Sequence, residues 1–198
     1  MTAHDLPAML KNKVLIGIFI TTAAFATGYY TAYSYIEPFL QQVGKMTENQ
    51  ITLTLMLFGG AGIIGSMLFS KYFPKYRFKF INVTLIGLIG GVALLLPSAF
   101  SVPVTIAVCT IIGMSATAFN VAMQSEIITD TPQSQTSVAM SIFSGIFNFG
   151  IGTGALIGGM VCTHLSISSI GIAGGLIVLL ALLYWQLIVV KRSIRQAQ

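Results

Sequence analysis

Val14–Ile36 reads VLIGIFITTAAFATGYYTAYSYI. No charge interrupts it, and it has the length of a helix that crosses a bilayer, roughly 20 apolar residues. Lys11 and Lys13 before it, and Ala24-Phe25-Ala26 within it, imitate the charged start and small-residue cleavage site of a signal peptide. The apolar run continues past that site to Ile36, so the stretch reads as a retained span. The rest of the chain agrees with this reading. Its 198 residues are 55% hydrophobic and only 8% charged, with a mean hydropathy of +0.87. A soluble domain carries roughly 25% charged residues. A chain so poor in charge cannot cover its own surface against water, so lipid must cover it.

Five further apolar runs follow, at Ile51–Phe69, Phe80–Leu96, Val104–Met123, Val138–Val161 and Ile167–Val190. Turn residues separate them: Pro38, Gly44 and Asn49; Pro74; Pro97 and Pro103; and Asp130-Thr131-Pro132. The expected fold is therefore an all-α membrane protein with six transmembrane helices. Residues 1–13 form a linker-like segment, 14–190 the six-helix bundle and 191–198 a basic tail. The net charge of +5 matters less than its placement. With six alternating spans, Lys11, Lys13, Lys71, Lys75, Arg77, Lys79, Lys191, Arg192 and Arg195 fall on one side and only Lys45 on the other. The positive-inside rule then puts both termini in the cytoplasm. Tyr184 and Trp185 read as an interfacial aromatic anchor.

Polar residues inside lipid face protein or a water-filled cavity. The first span carries Thr22, Tyr29, Tyr33 and Glu37 on one face, the fourth Gly113, Thr117, Asn120 and Gln124, and the fifth Ser137, Ser141, Ser144 and Asn148. The third and sixth are almost purely apolar. In each half the first helix is the polar-striped one and the third the lipid-like one, the weak symmetry expected of two inverted three-helix repeats. Tyr29, Tyr33, Asn120, Gln124 and Asn148 are the candidate cavity-lining groups. The alternative is that Ser and Thr bond carbonyls of their own helix and Asn148 bonds a neighbouring helix. Gly62 and Gly65, and Gly150, Gly154 and Gly158, are candidate helix-packing positions. Static close packing is the plainer reading of each glycine, and smooth surfaces for sliding and rocking are the alternative.

Several chemistries are excluded. The sequence has no H-E-x-x-H, no pair of mid-membrane aspartates and no G-x-x-x-x-G-K-[ST]. No enzyme, metal site, cofactor or nucleic-acid partner is expected. Cys109 and Cys162 read as free, buried thiols. Glu37 and Glu126 lie near span ends, where a solvated carboxylate is unremarkable.

Four stretches carry a family resemblance: Tyr33–Leu40, Leu57–Gly65 running into the basic turn, Asn120–Gln124, and Phe147–Gly159 (FNFGIGTGALIGG). Together they resemble the C-terminal six-helix half of a major facilitator superfamily transporter, in the branch of drug:proton antiporters and arabinose-type sugar efflux permeases. Ser70–Lys75 departs from the pattern, lacking the Gly and Asp of the family's loop signature. The resemblance implies one bundle of a major-facilitator fold in the inner (plasma) membrane. It further implies a proton-driven efflux permease for small polar solutes, sugars or drug-like compounds. Its partners would be the bilayer, the solute and a second six-helix bundle, either an N-terminal half or a second copy. Tyr, Asn and Gln suit uncharged polyols or amphiphiles, whereas an anionic solute would want Arg, and none lies within a span. The rival readings are a truncated, non-transporting membrane fragment or scaffold, and a six-helix transporter acting as a homodimer.

Overall fold

The computed structural model describes residues 11–196. Most of the expected linker, and the last two residues of the expected tail, lie outside them. Within them the chain is all-helical, with five helices long and apolar enough to cross a membrane.

Helix α1 (Lys13–Tyr33) starts where Asn12 accepts hydrogen bonds from the backbone N–H groups of Val14 and Leu15, at 3.0 and 3.2 Å. Such a cap satisfies donors that a helix start would otherwise leave open. A break at Ser34-Tyr35 leads into the short α2 (Ile36–Gln42). Helix α3 (Glu48–Ser98) follows, then α4 (Val102–Asp130) and α5 (Thr136–His164). A 3₁₀ turn at Ile167–Ser169 opens α6 (Ile170–Tyr184), which runs through a π-helical stretch, Trp185–Val190, into α7 (Lys191–Gln196).

Helix α3 needs a closer look. At 1.5 Å per residue its 51 residues would extend about 75 Å, far more than the ~30 Å hydrocarbon core. It is not straight. Tyr76 leaves helical geometry at φ −130°, ψ 39°, and the Phe69 and Phe80 rings approach to 6.1 Å although eleven residues of straight helix would separate them by about 16 Å. A Cβ built on Gly65 would come within 2.5 Å of the Met114 carbonyl, and one on Gly87 within 2.6 Å of Ser115 Oγ. Both halves of α3 thus rest on the same turn of α4, and the chain doubles back at Tyr76. The interval between the second and third apolar runs was expected to be a loop around Pro74. It is helical except at Tyr76, because an aromatic knot of Phe69, Phe73 and Phe80 packs the turn tightly.

Helix α1 lies at the centre. Phe25 stacks on Phe119 of α4 at 4.0 Å, Gly28 meets the Gly174 carbonyl of α6, and Thr27 shares a 3.0 Å hydrogen bond with Thr153 of α5. Three glycines set the α1–α5 contact. A Cβ on Gly150 would fall 2.5 Å from Ala26 Cβ and 3.2 Å from the Ala23 carbonyl. On Gly154 and Gly158 it would fall 2.5 Å from the carbonyls of Thr27 and Thr31. Steps of four residues on α5 match steps of four on α1, so each glycine lets a backbone carbonyl in. Small residues at this spacing permit such approach.

Two expectations are corrected here. Trp185 is no interfacial anchor: it is fully buried, beside the Phe78 ring at 6.2 Å. It continues the buried face of Val178, Ala181 and Leu182 at ordinary helical spacing. Cys162 is half-buried rather than buried, whereas Cys109 is enclosed as expected, and both are free.

Candidate functional site

The aromatic residues of α1 form the most organised part of the candidate cavity. Tyr29 stacks between Phe25 (5.8 Å) and Tyr33 (5.2 Å). Tyr30 meets both tyrosines edge-on, at 4.8 and 5.6 Å. From this cluster Tyr33 reaches Phe58 of α3 at 5.2 Å and Tyr30 reaches Phe147 of α5 at 6.0 Å. The i, i+4 spacing on α1 produces the stack, since residues four apart lie on one helix face. Tyr29 is nearly enclosed, so it forms the back of the cluster. Tyr33 is exposed and forms its open side.

Asn120 and Gln124 sit one turn apart on α4, half-buried, and the Gln124 amide donates to Asn120 Oδ1 at 2.5 Å. They form one unit presenting the remaining amide groups. Asn148 lies elsewhere. Its side-chain N–H donates to the Ser144 carbonyl of its own helix at 2.8 Å, and the residue is exposed. Ser141 and Ser144 likewise bond the carbonyls of Ser137 and Met140. The serines of this row therefore follow the own-helix reading, and Asn148 bonds its own helix rather than a neighbour. Among the described residues, no hydrogen bond joins the tyrosine cluster, the Asn120–Gln124 pair and Asn148.

The five packing glycines all sit in helix contacts, Gly62 against Thr117 Oγ1 at 2.8 Å. Gly113, expected in the polar row of α4, is a packing glycine pressed on the Phe58 carbonyl. In contrast, Gly59, Gly60, Gly90, Gly145 and Gly152 have no atom within 4 Å of where a Cβ would stand. Gly90 lies on the second arm of α3, and the other four lie on its first arm and on α5, which flank the tyrosine cluster.

The family model described as Major Facilitator Superfamily matches residues 3–140. The chain belongs to that superfamily. This major facilitator chain is thus a multi-pass membrane protein of a transporter family. The match covers more than two thirds of the chain and ends before Phe147–Gly159, the stretch on which the sequence resemblance leaned most.

One feature of this major facilitator chain escaped the sequence reading. Glu126 was expected to be a solvated carboxylate. It is buried instead, with 1% of its surface exposed, and the Arg77 guanidinium holds it by two hydrogen bonds, the second from Nη2 to Oε2 at 2.6 Å. A bidentate Arg–carboxylate pair is among the stronger protein contacts. It ties the α3 turn to the last turns of α4. Asn12 extends the link by donating to the Asp130 carbonyl at 3.3 Å, which joins the start of α1 to the end of α4. The available signal was the absence of basic residues after the fourth span, which left Glu126 and Asp130 with no local cation.

Proposed function

We propose that this chain is one bundle of a secondary active efflux permease that crosses the membrane six times with both ends in the cytoplasm. The observation that carries the proposal is the unfilled side of α3 and α5. Gly59 and Gly60 on α3 and Gly145 and Gly152 on α5 touch nothing, and Ser137, Ser141, Ser144 and Asn148 stand exposed on α5. In hydrocarbon a polar row is expensive, so this side suits a water-lined cavity closed by a second bundle. The doubled-back α3 supports six crossings rather than five. The exposed apolar residues of α6, among them Ile172, Leu176 and Leu180, support a lipid-facing third helix in the second repeat.

The open side of the tyrosine cluster offers ring faces and hydroxyls together, and the Asn120–Gln124 pair offers amides. Such groups favour uncharged, hydroxyl-rich or amphiphilic solutes such as sugars or drug-like compounds, moved outward against a proton gradient in the two-bundle protein. Reconstitution into liposomes tests this. The chain alone is expected to insert without driving concentrative, proton-dependent transport. Robust gradient-driven transport by it would replace the two-bundle reading with a homodimer. Orientation is tested separately by cysteines at Thr2 and Gln198, which should stay unlabelled from outside until the membrane is permeabilised.

A further inference from the structure

The turn where α3 doubles back reads KYFPKYRFK over residues 71–79, and its cations divide into two kinds. Arg77 turns inward to Glu126. Lys71, Lys75 and Lys79 are exposed, and among the described residues none of them enters an ion pair. Two of the lysines lie against aromatic rings, Lys71 Nζ at 5.3 Å from the Tyr72 ring and Lys75 Nζ at 5.3 Å from that of Tyr76. Beside them a cavity of about 360 Å³ opens between the two arms of α3, bordered by Leu68, Tyr72, Tyr76, Lys79, Phe80 and Val83. Leu68 also borders a second cavity, of about 680 Å³, that reaches Lys71. Both open beside strongly exposed apolar side chains, Val83 on one arm and Met67 on the other.

We propose that this turn binds an anionic phospholipid, with its phosphate at Lys75 and Lys79 and an acyl chain along Leu68, Phe80 and Val83. Charge complementarity selects the headgroup: unpaired lysines at the end of an apolar groove attract a lipid of net negative charge more than a zwitterion, whose ammonium group they repel. The groove selects a lipid over a soluble anion, because a free phosphate would leave its apolar walls uncovered. Tyr72 and Tyr76, each less than half exposed, suit the headgroup level, where tyrosine places its ring in the apolar layer and its hydroxyl in water. Basic pockets between membrane helices are a recurrent means of holding acidic headgroups. The inference needs only the multi-pass membrane character of the chain, and it stands whether or not the transport reading holds.

Native mass spectrometry of the full chain in detergent tests it, with phosphatidylglycerol and phosphatidylcholine of matched acyl chains as probes. Phosphatidylglycerol should bind the more tightly. Lys75→Gln and Lys79→Gln should each weaken it roughly fivefold, the equivalent of ~1 kcal/mol per basic residue near a lipid surface. Val83→Trp, at an exposed position that tolerates bulk, should weaken it while leaving the charge unchanged. Lys191→Gln with Arg192→Gln should leave it intact. Equal affinity for the two lipids would overturn the proposal. So would an equal loss from the Lys191/Arg192 variant, which would mean diffuse attraction, or full competition by glycerol phosphate, which would mean a soluble-anion site.

Discussion

The two sides of α5 use the same residue type for opposite ends. On one side Gly150, Gly154 and Gly158 receive the α1 backbone, with carbonyls or Cβ atoms 2.5 Å from where their own Cβ would stand. On the other, Gly145 and Gly152 face open space, alternating with Ser141, Ser144 and Asn148. The first side is a finished contact and the second an unfinished one. The difference shows that glycine in a membrane helix marks a place where a backbone can come close, without saying whether one does. The same division runs through the molecule. The turn of α4 under Gly65 and Gly87 is closed, whereas Gly59 and Gly60 on α3 are uncovered.

The largest effect is expected on the closed side. Arg77→Met leaves the Glu126 carboxylate buried without its cation. Breaking such a pair from one end costs about 3–5 kcal/mol, and because the Arg77 side chain is about one third exposed the lower end applies. Unfolding in mixed micelles should show the loss. Adding Glu126→Leu should restore most of it, since an apolar replacement of the whole pair leaves no orphan charge. A single variant as stable as the parent would mean that the pair lies in water and that this end of the bundle is open.

Next comes α5 itself. Gly154→Leu forces α1 and α5 apart, because its Cβ alone would meet the Thr27 carbonyl at 2.5 Å and Tyr30 Cβ at 2.9 Å. Overpacking of this kind costs about 1–3 kcal/mol. Gly152→Leu, half a turn away, meets nothing and replaces glycine with a better helix former, so it should be neutral or gain up to ~1 kcal/mol. The same micelle assay compares them. Equal losses from both would erase the distinction between the two sides.

How much of this was legible beforehand follows from what sequence patterns encode. Six apolar runs were read and five long helices are found, the second and third runs both lying in α3, which breaks at Tyr76, two residues from Pro74; length and hydropathy are local properties. The four-residue glycine ladder of α5 likewise announced its contact. Partner identity was not local. Gly113 looked like a member of a polar row and is a packing residue against Phe58, since the neighbour that decides lies on another helix. Glu126 and Arg77 stand 49 residues apart, and nothing in either neighbourhood signals the other until α3 folds back. Trp185 was misread for a related reason: it continues the buried face of Val178, Ala181 and Leu182, and hydropathy does not say which helix that face meets.

A smaller effect tests how the closed side is held. Thr27 and Thr153 share the 3.0 Å bond between α1 and α5, while Thr153 Oγ1 also lies 2.9 Å from the Phe149 carbonyl. An interhelical bond in a membrane protein averages about 0.6 kcal/mol. Thr27→Val and Thr153→Val should each cost about that much, and the double variant little more than either alone, because both remove one bond. Additive losses would show that each hydroxyl has an independent partner and that the glycine ladder is not the main support of the contact.

The smallest expected effect belongs to Asn148, and it discriminates most sharply between the two sides of α5. The amide donates to the Ser144 carbonyl, which also accepts the backbone N–H of residue 148 in an α-helix. Removing the side-chain donor therefore orphans nothing. Leu at this position adds no clash on an exposed face, and surface substitutions of this kind stay within about 0.5 kcal/mol. Asn148→Leu should unfold with the parent, and a loss above about 1 kcal/mol would mean that the amide already supports a helix contact. Access gives the complementary measurement. With Cys109 and Cys162 replaced, Asn148→Cys should react with a water-soluble thiol reagent in membranes, the outcome that the proposed water-lined cavity requires. Leu180→Cys on α6, also exposed but among apolar neighbours, should not react. Equal inertness of the two would place Asn148 in lipid and remove the cavity from this side of α5, and reaction at Leu180→Cys would place α6 away from lipid.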